Sequence, residues 1–145
     1  MTLYVIDTDI LSLYQRNHPQ ASVQIRLARQ NALTLATTVV TVEEQYAGRL
    51  AQIRKAKTPE VLITAYELLT TTFSLFSQLK ILGYDRTADD YFRQFRQQRI
   101  RIGTQDLRIA SIALAHSAII VTRNHKDFGQ VPNLIIKDWS LDVNS

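Results

Sequence analysis

Short aliphatic or β-branched runs alternate along this chain with stretches whose apolar residues recur every three to four positions, and this confines it to an α/β architecture. The runs are Leu3 to Ile6, Leu33 to Val40, residues 81–85, Ala118 to Val121 and Leu134 to Ile136. Strands separated by helices return in the same direction, so the expected fold is an α/β sandwich with a mostly parallel sheet. Helical spacing is predicted from about Ile10 to Arg16, stopping before His18-Pro19, and from Val23 to Asn31. It resumes at Thr41, with Val42, Tyr46, Leu50 and Ile53 on one side and Arg49, Arg54, Lys55 and Lys57 on the other. Pro59 then opens a long helix to Lys80, and Ala88, Tyr91, Phe92 and Phe95 mark another, interrupted by the basic segment 96–103. Thr104 is the expected cap of a helix reaching His116 or Ser117, and a polar loop joins the last two strands.

The chain's 145 residues, 46% hydrophobic and 21% charged, suit one domain spanning 1–145. It has no cysteine, which excludes disulfides, thiolate zinc sites and a thiol nucleophile. Carboxylates, hydroxyls and three histidines remain as the candidate reactive groups. The apolar runs fall far short of the roughly 20 residues a bilayer requires. The opening "MTLYVIDTD" carries no basic leader, so the expectation is a cytoplasmic protein with no membrane partner. A net charge of +4, with twelve arginines among the 17 cations, hints at a polyanion partner.

The acids are more informative. Asp7 ends the first strand and Asp9 follows two residues on; Glu43 and Glu44 open the helix after the second strand; Asp106 lies in the first turn after Thr104; Asp127 follows the strand at Ala118 to Val121. In an α/β fold these positions converge at the carboxyl ends of the strands. Carboxylates gathered there repel one another unless a divalent cation sits among them, and all-oxygen donors suit Mg²⁺ or Mn²⁺. Each acid has an alternative role as a helix cap, dipole partner or turn residue. Asp89, Asp90, Asp138 and Asp142 lack the strand-end placement.

Three segments, "YVIDTDILS", "VVTVEEQYAG" and "IGTQDLRIASIALAHSAIIVTRNHKDFGQVPNL", in this order and nearly end to end, resemble the PIN-domain family and, within it, the VapC-type toxins of bacterial toxin-antitoxin pairs. The resemblance implies a three-layer sandwich, with Asp7 and Asp106 as metal-site acids and Glu44, counted from Thr41 and Gly48, as the catalytic glutamate; Glu43 is then a bystander. Asp127 is the fourth acid in some relatives, whereas others carry an acid where this chain has Asn124. Asp9, Thr122 and Asn124 become supporting polar residues. The implied activity is a Mg²⁺- or Mn²⁺-dependent endoribonuclease in which a metal-activated water attacks the phosphodiester. Arg108, Arg123 and Lys126 are the candidates for binding RNA. The implied partners are RNA, a small VapB-like antitoxin and a second copy of the chain. Phe73, Phe76, Leu79, Tyr66 and Leu69 on the long helix are expected either to form part of that protein surface or to pack in the core.

Two other readings compete. One is a PIN-like domain that binds RNA or protein without cutting it, against which the acids at 7, 44 and 106 count. The other is a haloacid-dehalogenase-like phosphatase, suggested by Asp7-Thr8-Asp9; that loop calls for Thr or Val where Leu11 stands.

Overall fold

Ile6 is fully buried and its neighbour Val5 is fully buried on the opposite face of the sheet, each in a separate apolar cluster, so the central strand is covered on both sides. The computed structural model describes residues 2–141, and Asp142 lies outside them. Its elements are β1 (Tyr4–Ile6), α1 (Thr8–Gln15), α2 (Pro19–Arg29), β2 (Leu35–Thr38), α3 (Val39–Lys55), α4 (Pro59–Ser77), β3 (Lys80–Leu82), α5 (Arg86–Gln97), α6 (Thr104–Ala115), β4 (Ile119–Val121), α7 (His125–Phe128) and β5 (Ile135–Lys137). The strands form one sheet in the order β3-β2-β1-β4-β5, and every pairing is parallel.

The two-residue period of the strands decides which face each side chain serves. Val5, Ala36, Ile120 and Leu82 join Ala88 and Phe95 of α5 and Leu107, Ile109 and Ile112 of α6. Ile6, Leu35 and Val121 join Ile10 and Leu11 of α1, Ile25 of α2 and Leu75 and Phe76 of α4. This is the expected three-layer sandwich. Strand order reverses at β1, whose successors run outward through β2 on one side and β4 on the other. A crevice therefore opens beyond the carboxyl ends of β1 and β4, where α/β proteins bind their ligands.

Several boundaries differ from expectation for local reasons. Val39 and Val40 belong to α3 and not to a strand, because Thr38 Oγ1 accepts the Thr41 N–H at 3.0 Å and starts the helix there. Likewise α2 begins at Pro19, whose fixed φ suits a first helical residue, and not at Val23. The third strand is Lys80–Leu82, earlier than 81–85, since Asp85 caps α5 through the Ala88 N–H. Gly103, not Thr104, is the N-cap of α6; the Thr104 hydroxyl instead accepts from Arg96 at 2.6 Å. The loop before β5 contains α7, capped by Asn124.

On α4, Phe76 is buried, whereas Tyr66 and Phe73 stay 53% and 59% exposed; Phe73 lies over Tyr46 with ring centroids 4.8 Å apart. Core packing thus takes part of that stripe and leaves the rest on the surface. Among the described residues no helix is long and apolar enough to cross a membrane.

Candidate active site

The β1 chain end points Asp7 into the crevice. Asp7 is the N-cap of α1, yet its carboxylate makes no capping hydrogen bond; Oδ2 instead accepts from Thr122 Oγ1, at the end of β4, at 2.9 Å. Backbone pairing explains the meeting, because Ile6 stands opposite Val121 and the Asp7 N–H donates to the Val121 carbonyl at 2.9 Å. Two residues on, Asp9 Oδ2 accepts the Arg123 N–H at 3.0 Å and lies 3.4 Å from Thr122 Oγ1, tying α1 to the β4–α7 connection. Its other oxygen, Oδ1, is buried without a partner among the described residues.

Glu44 enters from α3, with Oε1 3.4 Å from the Thr8 hydroxyl. Asp106 enters from the first turn of α6, and no donor among the described residues bonds its carboxylate. Gly103 leaves room beside it: a Cβ built there would lie 4.0 Å from Asp106 Oδ2. Asn124 and Asp127 hold each other reciprocally. The Asn124 amide donates to Asp127 Oδ2 at 3.0 Å, and Asn124 Oδ1 accepts the Asp127 N–H at 3.3 Å. Asp127 therefore keeps one oxygen for other partners.

The electrostatics link these acids. Burial pushes the Asp7 carboxyl up to about 7, the Asp9 and Asp106 charges adding to it while the Thr122 hydroxyl and the nearby Thr8 N–H pull the other way. Burial likewise raises Asp9, against the Arg123 and Ile10 N–H groups and the Arg123 guanidinium. Glu44 is raised by burial and then by the charge of Asp106, and Asp106 by burial and then by Asp127 and Asp9. Clustered, half-dry carboxylates of this kind mark functional crevices.

Donor chemistry and charge fit a hard divalent cation: every donor is oxygen, Asp9 Oδ1 is orphaned, and the Asp106 carboxylate is unbonded among the described residues. Among those residues no three acidic or imidazole side chains close into a finished cage. Mutual repulsion holds such groups apart, and Mg²⁺ needs only one or two carboxylates because it keeps several waters.

Sequence spacing assigned no part to four contacts around the cleft. Glu43 Oε1 accepts from Gln105 Nε2 at 2.8 Å and so ties the start of α3 to the start of α6. Arg108 donates to Gln105 Oε1 at 2.8 Å, and its guanidinium lies 5.5 Å from the Phe92 ring centroid. Thr8 holds Glu44. Arg123 and Lys126 are exposed beside the cleft. Only proximity across the fold reveals such pairs, because Glu43 and Gln105 are far apart in the chain.

A parallel sheet between helical layers, with an acidic cleft at its switch point, is the architecture expected of a PIN-type domain. Ribonuclease VapC2 of Rickettsia felis is 29% identical over 142 residues, covering 94% of this chain and 98% of the relative. The tRNA(fMet)-specific endonuclease VapC of Shigella flexneri is 28% identical over 144 residues, covering 97% and 100%. The crystal structure of VapBC2 from Rickettsia felis, bound to a DNA fragment from its promoter, aligns with a TM-score of 0.74 at 27% identity, covering 95% of this chain and 99% of that one. No protein-family model matches. In sequence and in fold, then, this chain is similar to the VapC ribonucleases.

Proposed function

We propose that this chain is a metal-dependent endoribonuclease, the toxin of a toxin-antitoxin pair. The observation that carries the reading is the convergence of Asp7, Asp106, Glu44 and Asp127 on one crevice in a chain similar over its full length to VapC ribonucleases. Asp7 and Asp106 are the residues that would hold Mg²⁺ or Mn²⁺, and Asp127 would complete the site. When bound, the cation supplies positive charge to the scissile phosphate and lowers the pKa of a water.

The chain's own residues do the positioning. Glu44 accepts a proton at Oε2, the oxygen turned away from Thr8 in the hydrogen bond at Oε1. Thr122 fixes the orientation of Asp7, Asp9 braces the β4–α7 connection, and Asn124 orients Asp127. Arg123 and Lys126, exposed beside the cleft, engage RNA phosphates, and Arg108 does so from its seat on Phe92. A small VapB-like antitoxin is the proposed inhibitor, consistent with the VapBC complexes among the structural relatives, and the exposed face around Tyr66 and Phe73 serves protein contacts, including a homodimer. The site of action is the cytoplasm.

The test is cleavage of total RNA by the purified chain with Mg²⁺, Mn²⁺ or EDTA, and mapping of new 5′ ends in cells expressing it with and without its genomic neighbour. Divalent-dependent cleavage that the neighbour's product suppresses is expected. RNA left intact under every condition would overturn the proposal.

A further inference from the structure

Arg96, Arg99 and Arg101 line a groove of about 650 Å³ between the end of α5 and the start of α6, together with Ile100, Ile102, Gly103 and Asp127. None of the three arginines makes an ion pair among the described residues. Asp127, the one acid lining the groove, sets a single negative charge against three guanidinium groups. Three guanidinium groups in one concavity repel each other unless an anion is seated among them.

The backbone sharpens the point. Helices α1, α5 and α6 all end with a left-handed residue after the C-cap: Asn17 at φ 58°, Arg99 at φ 60° and Ser117 at φ 52°. In each, the following N–H returns to a carbonyl five residues back, as His18 to Leu13, Ile100 to Phe95 and Ala118 to Ala113. Glycine suits this position best and short polar side chains tolerate it. Arginine has no such excuse, so at 99 it sits at a conformational penalty. Arg96 is already set in place, bonded to Thr104 and 5.2 Å from the Phe92 ring centroid.

The geometry points to this groove as a seat for the RNA backbone beside the cleavage site, with Arg99 and Arg101 binding phosphates that flank the scissile bond and Arg96 held ready at its wall. It leads directly to the acids, since Gly103 borders both the groove and Asp106. Arginine suits the role because its planar fork matches phosphate oxygens. The inference rests on the ribonuclease reading only for the identity of the polyanion.

The test compares Arg99→Gly/Arg101→Gln with the parent chain. Glycine at 99 relieves the backbone while removing the guanidinium, so the melting temperature should stay within about 4 °C. Binding of a fluorescein-labelled oligouridylate, read by anisotropy with Asp7→Asn present in both chains, should weaken by at least about tenfold at low salt. The slope of log affinity against log salt should flatten by about 1.4, roughly 0.7 for each of the two phosphate contacts removed from a single strand. In chains retaining Asp7, KM for RNA rises while kcat holds. Arg101→Gln alone, in an extended loop, covers the case in which the double variant folds poorly. Unchanged affinity and salt slope in a folded variant overturn the groove and leave the nuclease reading standing. A chain that binds through these arginines yet never cuts RNA keeps the groove and sinks the nuclease; one that binds no RNA sinks both.

Discussion

Thr122 Oγ1 donates to Asp7 Oδ2 at 2.9 Å while accepting the Asn124 N–H at 3.0 Å, so a single hydroxyl joins the end of β1 to the turn that leads into α7. Its position explains how Asp7, only 6% exposed, can carry charge at all. Burial opposes ionisation and this hydroxyl favours it.

Thr122→Val keeps the shape and deletes the donor. The Asp7 carboxyl should rise further above about 7, moving the acid limb of the rate–pH profile to higher pH and lowering cleavage at neutral pH by about tenfold, a hydrogen bond to a charged group being worth about 1.5 kcal/mol. Thr122→Ser should restore both. A pH profile of cleavage for the three proteins reads this, and superimposable profiles would reject the role assigned to the hydroxyl.

Asp7→Asn should abolish cleavage and leave the fold intact, because it keeps one acceptor oxygen but removes charge from the cation site. Folding favours protonated Asp7, whose ordinary value of 3.8 is raised to about 7. The folded chain thus binds more protons than the unfolded one between about pH 4 and 7, and metal-free stability falls across that window as pH rises. The decline, on the order of 2–4 kcal/mol for a shift of this size, should be strongly reduced in Asp7→Asn. Metal-free denaturation from pH 4 to 8 provides the comparison; identical pH slopes in both proteins would refute the assignment.

Protons and divalent cations compete for the same carboxylates. Mg²⁺ or Mn²⁺ should therefore raise the melting temperature at pH 8 and do little at pH 5, since a ligand that binds only the folded state stabilises it in proportion to its free affinity. Thermal melts across a metal titration at both pH values check this. Equal shifts at the two values would argue against a cation site built on Asp7 and Asp106, both of which burial raises.

The sandwich and the acid positions were legible because both depend on short-range pattern. Apolar runs of four or so residues set the strands, and an acid directly after a strand lands in the switch-point crevice wherever the sheet is parallel. Boundaries such as Val39 and Val40 were not legible, since β-branched residues carry strand propensity and only the Thr38 cap overrules it. Pairings across the fold escaped for a different reason. Glu43 reads as a spare acid beside Glu44 until α6 is seen to bring Gln105 against it.

That pairing separates charge from contact. Glu43→Gln retains an acceptor oxygen for Gln105 and should leave cleavage within about twofold. Glu43→Ala frees the ends of α3 and α6 and should lower kcat several-fold with little change in stability, an exposed hydrogen bond being worth about 0.5–1.5 kcal/mol. Steady-state cleavage kinetics distinguish them; equal losses in both variants would mean that the charge, and not the contact, matters.

Gly129 offers a way to move Asp127 without changing it. This residue closes α7 at φ −64°, a conformation open to any amino acid, so its need for glycine is steric. A Cβ there would lie 2.5 Å from the His125 carbonyl oxygen, well inside contact distance. The obstacle is backbone, which cannot swing aside as a side chain would. In Gly129→Ala, α7 must shift or open, at a cost of about 1–3 kcal/mol by analogy with overpacked sites. Phe128, fully buried one residue earlier, anchors the helix from below, which directs the displacement into the Asn124–Asp127 end facing the cleft. Cleavage should then fall by more than the stability loss explains, and Asp127→Asn should reproduce the deficit in a chain of near-normal melting temperature. Gly129→Ala with full activity, or Asp127→Asn with none of the loss, would remove Asp127 from the site.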